Sequence, residues 1–324
     1  MHASTLHIHA IVINYFCFEQ TIELLHQFEK FQTNNNIRFS VTCADNSNNS
    51  DEKQELEAFQ QQSHLELRLL FSKKNLGFGR AINAAAQDIS FDYLWLVNPD
   101  VTLFSSTFDK LLTAATTAPT QGIWGGITLT DEQQADHRHA WREPSLWSTA
   151  GWAFGLSKVI RTHGWWHDHY QYDASHNLTQ SYSVDSVTGC CFLISKELWN
   201  KLNGFDNDFF LYSEETDLCR RARHVGFQPT VVPTALLLHS SVGTKGNSQR
   251  LTLIYHAKLL YAAKHHGFLY CFCFRFILLS GGLIRGLQQL AKGNTRLAKT
   301  WLTISIDAIL LSSRSIKKRY ARQR

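Results

Sequence analysis

The chain has 324 residues, 44% apolar, 18% charged and 12% aromatic. That balance excludes a disordered or fibrous protein and leaves ample core for one large domain or two modest ones. The net charge of +5 is mild but uneven: "RSIKKRYARQR" (314–324) carries six Lys or Arg and no acid, a run that is either a solvated end or suited to an anionic membrane or nucleic acid.

In chain order, "LHIHAIVINYF" (6–16) is an apolar run suited to a buried strand. The spacing of Ile22, Leu25, Phe28 and Phe31 predicts a helix over 19–31. "FSVTCADNS" (39–47) alternates and then stops in the polar turn Asp45-Asn46-Ser47, as a strand does. A helix over 51–62, an alternating strand at 65–71, the glycine turn "NLGFGRAIN" (75–83) entering a helix, and the strand "YLWLV" (93–97) follow, the last ending at Asn98-Pro99-Asp100. Such alternation predicts a largely parallel α/β sheet, with ligands beyond the carboxyl ends of its strands. Asp45 and Asp100 both fall there. Either alone reads as a turn former; together they point to one crevice.

Residues 130–183 lose periodicity and hold "HRHAWREPSLW" and "HGWWHDHYQY". His163, His167 and His169 are metal-ligand types without a helix or strand to fix them, so a sugar-stacking loop and a plain structural loop both stand. In 184–243, a strand over 187–195 precedes a helix over 196–202 that Gly204 ends. A loop with Phe209, Phe210 and Tyr212 then leads to "LYSEETDLCRR" (211–221). Glu214, Glu215 and Asp217 open a helix that ends at Gly226. Acids there complement the helix dipole, but so dense a cluster also suits a general base with its tuners. Strand pieces follow and stop at His239.

From 246 onward the character changes. "FLYCFCFRFILLSGGL" (268–283) is interrupted by Arg275 and two glycines and falls short of the ~20 residues a bilayer span needs. A second apolar stretch, 301–311, contains Asp307. Amphipathic helices on a membrane surface or a partner, or helices completing a soluble core, are the readings. Seven cysteines without pairing or zinc spacing suit reduced thiols in the cytosol, and the first residues lack the pattern of an export signal. "NLGFGRAIN" has Ile82 where a dinucleotide fingerprint needs its third glycine, and P-loop spacing is missing, which places dehydrogenase and P-loop readings low.

Taken in order, Asp45-Asn46-Ser47, "NLGFGRAIN", "NPDV", "VTGCCFL", "GFDNDFFLYSEETDLCRRARHVGF" and His239 resemble family 2 glycosyltransferases, with the closest likeness to the rhamnosyltransferase-type branch. The likeness runs from about residue 7 to 245. It implies a GT-A fold, a mixed and largely parallel sheet flanked by helices over 1–245; residues 246–324 resemble the family only as a helical, basic extension, which their apolar stretches and basic tail suit to a membrane surface. It further implies inverting transfer of one sugar from a nucleotide-sugar donor (dTDP-rhamnose-like or a UDP-sugar) to a hydroxyl of a glycan or polyprenyl-linked glycan, as in cell-surface polysaccharide assembly. The enzyme would then sit on the inner face of the cell membrane, with an oligomer through the C-terminal helices as a further option. No nucleic-acid partner is expected.

Carried over by position, Asp45 holds the base or ribose, and Asn75, Gly77 and Arg80 lie along the nucleotide. Asn98 and Asp100 stand at the metal motif, Gly189 and Cys190 line the acceptor side, and His239 completes the metal or diphosphate shell. Glu215 takes the catalytic-base position, flanked by Glu214 and Asp217. Two departures stand out. Asn98 replaces the motif's first acid, which leaves Asp100 and His239 to hold the metal, and Glu215 replaces the commoner aspartate, which keeps Glu214 in contention.

The chemistry asks for these groups in its own right. A departing sugar diphosphate needs its growing charge neutralised, as Mg²⁺ or Mn²⁺ does, and the attacking hydroxyl needs a carboxylate within reach to take its proton. A sugar nucleotidyltransferase and a non-catalytic sugar-nucleotide-binding scaffold are the rival readings.

Overall fold

The computed structural model describes residues 5–31, 36–130, 132–156, 179–239 and 248–321. His163, His167 and His169 lie outside these. The alternation predicted for the first hundred residues is present: β1 (Leu6–Asn14), α1 (Phe18–Glu29), β2 (Ile37–Asp45), α2 (Ser50–Gln62), β3 (Glu66–Phe71), α3 (Phe78–Ala86) and β4 (Tyr93–Val97). After them come β5 (Val101–Leu103), α4 (Thr107–Thr117), β6 (Ile123–Leu129), β7 (Ala140–Trp141), α5 (Leu146–Phe154), β8 (Tyr182–Ser183) and β9 (Ser186–Val187). The site-bearing stretch holds β10 (Cys191–Ser195), α6 (Lys196–Leu202), α7 (Glu214–His224) and β11 (Thr230–His239).

The sheet runs β3-β2-β1-β4-β10-β6-β11-β5, with β8 on β11. Strands β3, β2, β1 and β4 are mutually parallel; β10 is antiparallel to β4 and β6. Alternation along β1 explains why it reads as an unbroken apolar run. Ile8, Ala10 and Val12 pack on one face with Leu24, Leu25 and Phe28 of α1, while Ile11 and Ile13 pack on the other with residues of α3, α6 and α7. Both faces are covered, so neither needs polar side chains.

Parallel pairing sets Asn14 opposite Asp45, so the ends of β1 and β2 share one rim. The strand expected over 187–195 divides instead. Thr188, Gly189 and Cys190 form the turn between β9 and β10, and the Cys190 carbonyl accepts the Asn98 N–H at 2.7 Å. This bond ties the Asn98-Pro99-Asp100 turn to the Gly189 turn. On the far side, β11 pairs His239 with Val101 of β5, which brings His239 back to Asp100.

The described residues of the C-terminal segment form four helices: α8 (Ser248–His265), α9 (Phe268–Ala291), α10 (Thr295–Leu310) and α11 (Ser313–Ala321). It shares one apolar cluster with Phe209 and Phe210 of the loop before α7 and with Ala153 of α5, so the helices pack directly on the loop that delivers the acids. Ionic ties reinforce the contact. Lys264 of α8 bonds Asp206 at 2.6 Å, Lys317 of α11 pairs with Asp208, and Glu143, which accepts from the Tyr261 hydroxyl of α8 at 3.0 Å, also receives Arg220 and Arg223 of α7.

Helix α9 departs from expectation. It runs 24 residues, because the apolar pattern continues beyond Gly281 and Gly282 to Leu290, and by length and composition it is able to cross a bilayer. The arginines that interrupt it in sequence both turn inward. Arg275 donates to the carbonyls of Ala308 and Leu311, and Arg285 donates to those of Trp152 and Ala153 at the end of α5. Each charge thus satisfies helix-terminal carbonyls. Outward, Phe268, Leu269, Phe272, Phe276, Leu283, Ile284, Leu287 and Leu290 are exposed, and at 100° per residue they fall in a stripe along one side of the helix.

Candidate active site

Two cavities meet beyond the strand ends. One, of about 290 Å³, is lined by Tyr15, Cys17, Asn46, Asn75, Gly77 and Asp100 among others. The second, of about 300 Å³, is lined by Trp141, Gly189, Cys190, Glu214, Glu215, His239 and three residues of α8, Arg250, Ile254 and Lys258. Phe78, Asn98 and Leu211 belong to both walls. Asn98 therefore stands at the junction.

Asp100 faces the first cavity and His239 the second, and their side chains meet with Nε2 3.2 Å from Oδ2. Both are partly exposed toward the shared opening. A carboxylate oxygen beside an imidazole nitrogen is a donor set that fits Mn²⁺, with Mg²⁺ less suited to the nitrogen. Among the described residues no group of three or more His, Cys, Asp or Glu is placed to hold a metal. A cation here would take its remaining ligands from a bound diphosphate and water.

The acids sit at the start of α7. Tyr212 and Ser213, immediately before it, both have positive φ, +72° and +66°. Left-handed backbone at non-glycine residues costs about 1–3 kcal/mol each and survives only where its surroundings impose it. Here Phe209 and Phe210 are buried, the Phe210 carbonyl accepts the Phe78 N–H at 3.0 Å, and the Tyr212 hydroxyl accepts from Arg250 Nε at 3.2 Å. Gly77 is fixed by the same contact. Its φ is +81°, and a Cβ there would stand 2.1 Å from the Phe210 carbonyl oxygen. The glycine turn thus holds the acid-bearing loop as well as lining the first cavity.

Glu214 is 3% exposed, and its Oε2 has no hydrogen-bond partner among the described residues. Burial, then the neighbouring Glu215, hold its carboxyl well above the usual range, which favours its protonated form. Glu215 is half-buried and lies against Gly189, where an added Cβ would be 3.4 Å from its Cγ. Burial pushes Glu215 up to about 7, with its own backbone N–H and Lys258 pulling the other way. A carboxylate that titrates near neutrality suits proton abstraction.

Three residues expected in the site stand elsewhere. Asp217 is buried and bonds Arg221 Nε at 2.7 Å and His265 Nε2 at 2.7 Å. It locks α7 to α8, and the chief cause of the raised Glu215 is burial, not crowding by like charges. Arg80 lines neither cavity; its Nε donates to the Asn207 carbonyl at 2.6 Å. Asp45 is 1% exposed and accepts from Asn14 Nδ2 and Ser47 Oγ, each at 2.7 Å. It shapes the turn that presents Asn46 to the first cavity. Asn75 does line that cavity, while its Oδ1 accepts the Gly77 N–H at 2.8 Å. Cys190 lines the second cavity as a buried thiol raised by its burial.

Sequence reasoning missed Asn46, Trp141 and the α8 residues. Arg250, Ile254 and Lys258 do carry a signal, an i, i+4, i+8 stripe on one helix face, but nothing local tells which face meets the acids.

Comparison with known proteins matches residues 10–202 to the family model "Glycosyl transferase family 2" and residues 171–244 to "N-terminal domain of galactosyltransferase". An N-acetylglucosaminyl-diphospho-decaprenol L-rhamnosyltransferase of Mycobacterium tuberculosis is 26% identical over 237 residues, covering 64% of this chain and 70% of that one. Among solved structures, a mannosyltransferase from Pyrobaculum calidifontis in complex with GDP-Man and Mn²⁺ superposes with a TM-score of 0.56 at 13% identity, over 97% of this chain and 79% of that one. GalNAc-T7 with UDP, GalNAc and Mn²⁺ gives a TM-score of 0.57 at 13% identity, over 80% of this chain and 48% of that one. The fold is shared with these GT-A enzymes, and with a family match spanning more than half its length, the chain belongs to glycosyl transferase family 2.

Proposed function

We propose that this glycosyltransferase moves one sugar, with inversion, from a nucleoside-diphosphate sugar in the Asp100 cavity to a hydroxyl of a lipid-linked glycan in the Glu215 cavity. The observation that carries this reading is the meeting of the two cavities at Asn98, with Asp100 and His239 at the junction and Glu215 beyond it. Asn46, Asn75 and Gly77 would lie along the nucleotide, and Asp100 and His239 would hold a divalent cation. When bound, that cation neutralises charge on the departing diphosphate. Glu215 takes the proton of the attacking hydroxyl. Glu214, enclosed beside Glu215, is held toward its protonated form by burial. Gly189 keeps the space beside Glu215 open for the acceptor. The similarity to the mycobacterial enzyme favours a dTDP-rhamnose-like donor and a polyprenyl-diphosphate-linked N-acetylglucosamine acceptor.

The test is product identity. With Mn²⁺, a panel of nucleotide sugars and an N-acetylglucosaminyl diphospholipid acceptor, the expected products are nucleoside diphosphate and an extended acceptor. Pyrophosphate release from a nucleoside triphosphate would instead identify a nucleotidyltransferase, and nucleotide-sugar binding without turnover a scaffold.

With a lipid-linked acceptor the enzyme would work at a membrane surface, and the α9 stripe is the surface suited to it. Leu269 is 73% exposed, and Phe272 and Phe276 are 60% exposed each. The basic tail contributes less than its sequence suggests, because Lys317 and Arg319 pair with Asp208 and Asp307. Burying a Phe is worth about 1.5–3 kcal/mol, so Phe272→Glu with Phe276→Glu should lower partitioning onto vesicles at least ~100-fold in a flotation assay. Wild-type protein that never floats and forms a dimer in solution would assign the stripe to self-association.

A further inference from the structure

Helix α8 is a C-terminal element, yet one of its faces forms part of the acid-bearing cavity. Arg250, Ile254 and Lys258 line it together with Glu215. Positions four apart stand above one another on a helix, and eight residues rise about 12 Å. Arg250 and Lys258 both line the cavity that holds Glu215, so an anion bound there meets two long cationic side chains from one helix face. Each is seated against an aromatic ring: Arg250 against Tyr212, at 5.9 Å from guanidinium carbon to ring centre, and Lys258 against Trp152, at 5.3 Å. Arg250 Nε also donates to the Tyr212 hydroxyl at 3.2 Å. Neither residue lines the Asp100 cavity, where the donor diphosphate would lie.

We infer that this wall of α8 is a phosphate subsite for the acceptor, which recognises the diphosphate of a lipid-linked sugar whose hydroxyl is directed at Glu215. The inference rests on the glycosyltransferase reading of the same site and adds the acceptor's charged group and the residues that select it. The arrangement divides the cavity by chemistry. The acid side, at the start of α7, handles the hydroxyl proton, and the cationic side, on α8, holds the anion. Arg is suited to phosphate by its planar fork of donors and Lys as a point charge. Lys258 also acts on Glu215, whose proton affinity it lowers; an anion seated on Lys258 would offset that effect when an acceptor is present. The helix that carries the cations opens the bundle whose α9 bears the apolar stripe, so the chain offers a charged subsite and a lipid-compatible face from one continuous segment.

The experiment uses the full chain saturated with dTDP or UDP and Mn²⁺, so that the donor's diphosphate site is filled, and titrates farnesyl diphosphate by calorimetry with farnesol as the uncharged control. Farnesyl diphosphate should still bind. Arg250→Ala and Lys258→Ala should each weaken it at least ~tenfold, and Arg250→Lys and Lys258→Arg should recover part of the loss. Farnesol should bind all variants alike. If an alanine variant melts early, Lys258→Gln against Lys258→Arg decides, since both keep a polar side chain at this position and only the second keeps the positive charge. Displacement of farnesyl diphosphate by the nucleoside diphosphate would assign the cations to the donor and overturn the inference, as would alanine variants that bind it as tightly as the wild type. Failure of nucleotide to bind at all would defeat the glycosyltransferase reading and the subsite with it, a result distinct from losing the subsite alone.

Discussion

Glu215→Gln should reduce sugar transfer by about two to four powers of ten, the range a general base supplies, while nucleotide binding persists. The substitution keeps the shape against Gly189 and removes only the proton acceptor. Glu214→Gln should cost far less, because Glu214 is enclosed, burial favours its neutral form, and an amide closely replaces a neutral carboxylic acid. The reverse pattern, with Glu214→Gln inactive and Glu215→Gln active, would exchange the two roles. Full activity in both would reduce the acids to dipole-complementing residues at a helix start.

The pH profile adds a sign. Burial raises Glu215 to about 7 in the folded protein, so the base is ionised above that pH and protonated below it. Turnover should be level at high pH and fall about tenfold per unit as pH drops below 7. Stability runs the other way. A carboxyl whose folded value lies above its unfolded value destabilises the fold as pH rises between the two. Glu215→Gln removes that effect, so its Tm at pH 8 should be no lower than that of the wild type. A residue that only capped the helix would lose stability on the same change.

How much of this was legible in the sequence depends on the range of each interaction. Strands β1 to β4 were plain because their burial is written in adjacent residues, and the polar stops at Asp45 and Asn98 mark strand ends without reference to anything distant. Asp100, Gly189, Glu215 and His239 belong to ordered motifs, and the sheet brings them to one opening. Asp217 and Arg80 were less legible, because their partners are remote: His265 is 48 residues from Asp217, and Asn207 is 127 from Arg80. A carboxylate or guanidinium looks the same in sequence whether it meets substrate or a distant helix. Helix α9 shows the same limit. Arg275 reads as a break in an apolar run until the end of α10 arrives to receive it, and only then does the outward stripe become continuous.

Asp100→Ala should abolish metal-dependent binding of nucleoside diphosphate. Even residues that merely orient a metal ligand cost about 10–100-fold in affinity when removed, so loss of the motif's remaining carboxylate should exceed about 100-fold. His239→Ala should weaken binding less, because it leaves the charged ligand in place, and should shift preference from Mn²⁺ toward Mg²⁺ by removing the nitrogen donor. Calorimetric titration of UDP or dTDP with Mn²⁺, with Mg²⁺ and with chelator reads all of this without any need for turnover. The two residues touch at 3.2 Å, so their effects should not add; the double variant should be little worse than Asp100→Ala alone. Affinity that is equal with metal and with chelator would leave Asp100 and His239 as a simple ion pair and assign the diphosphate to basic side chains.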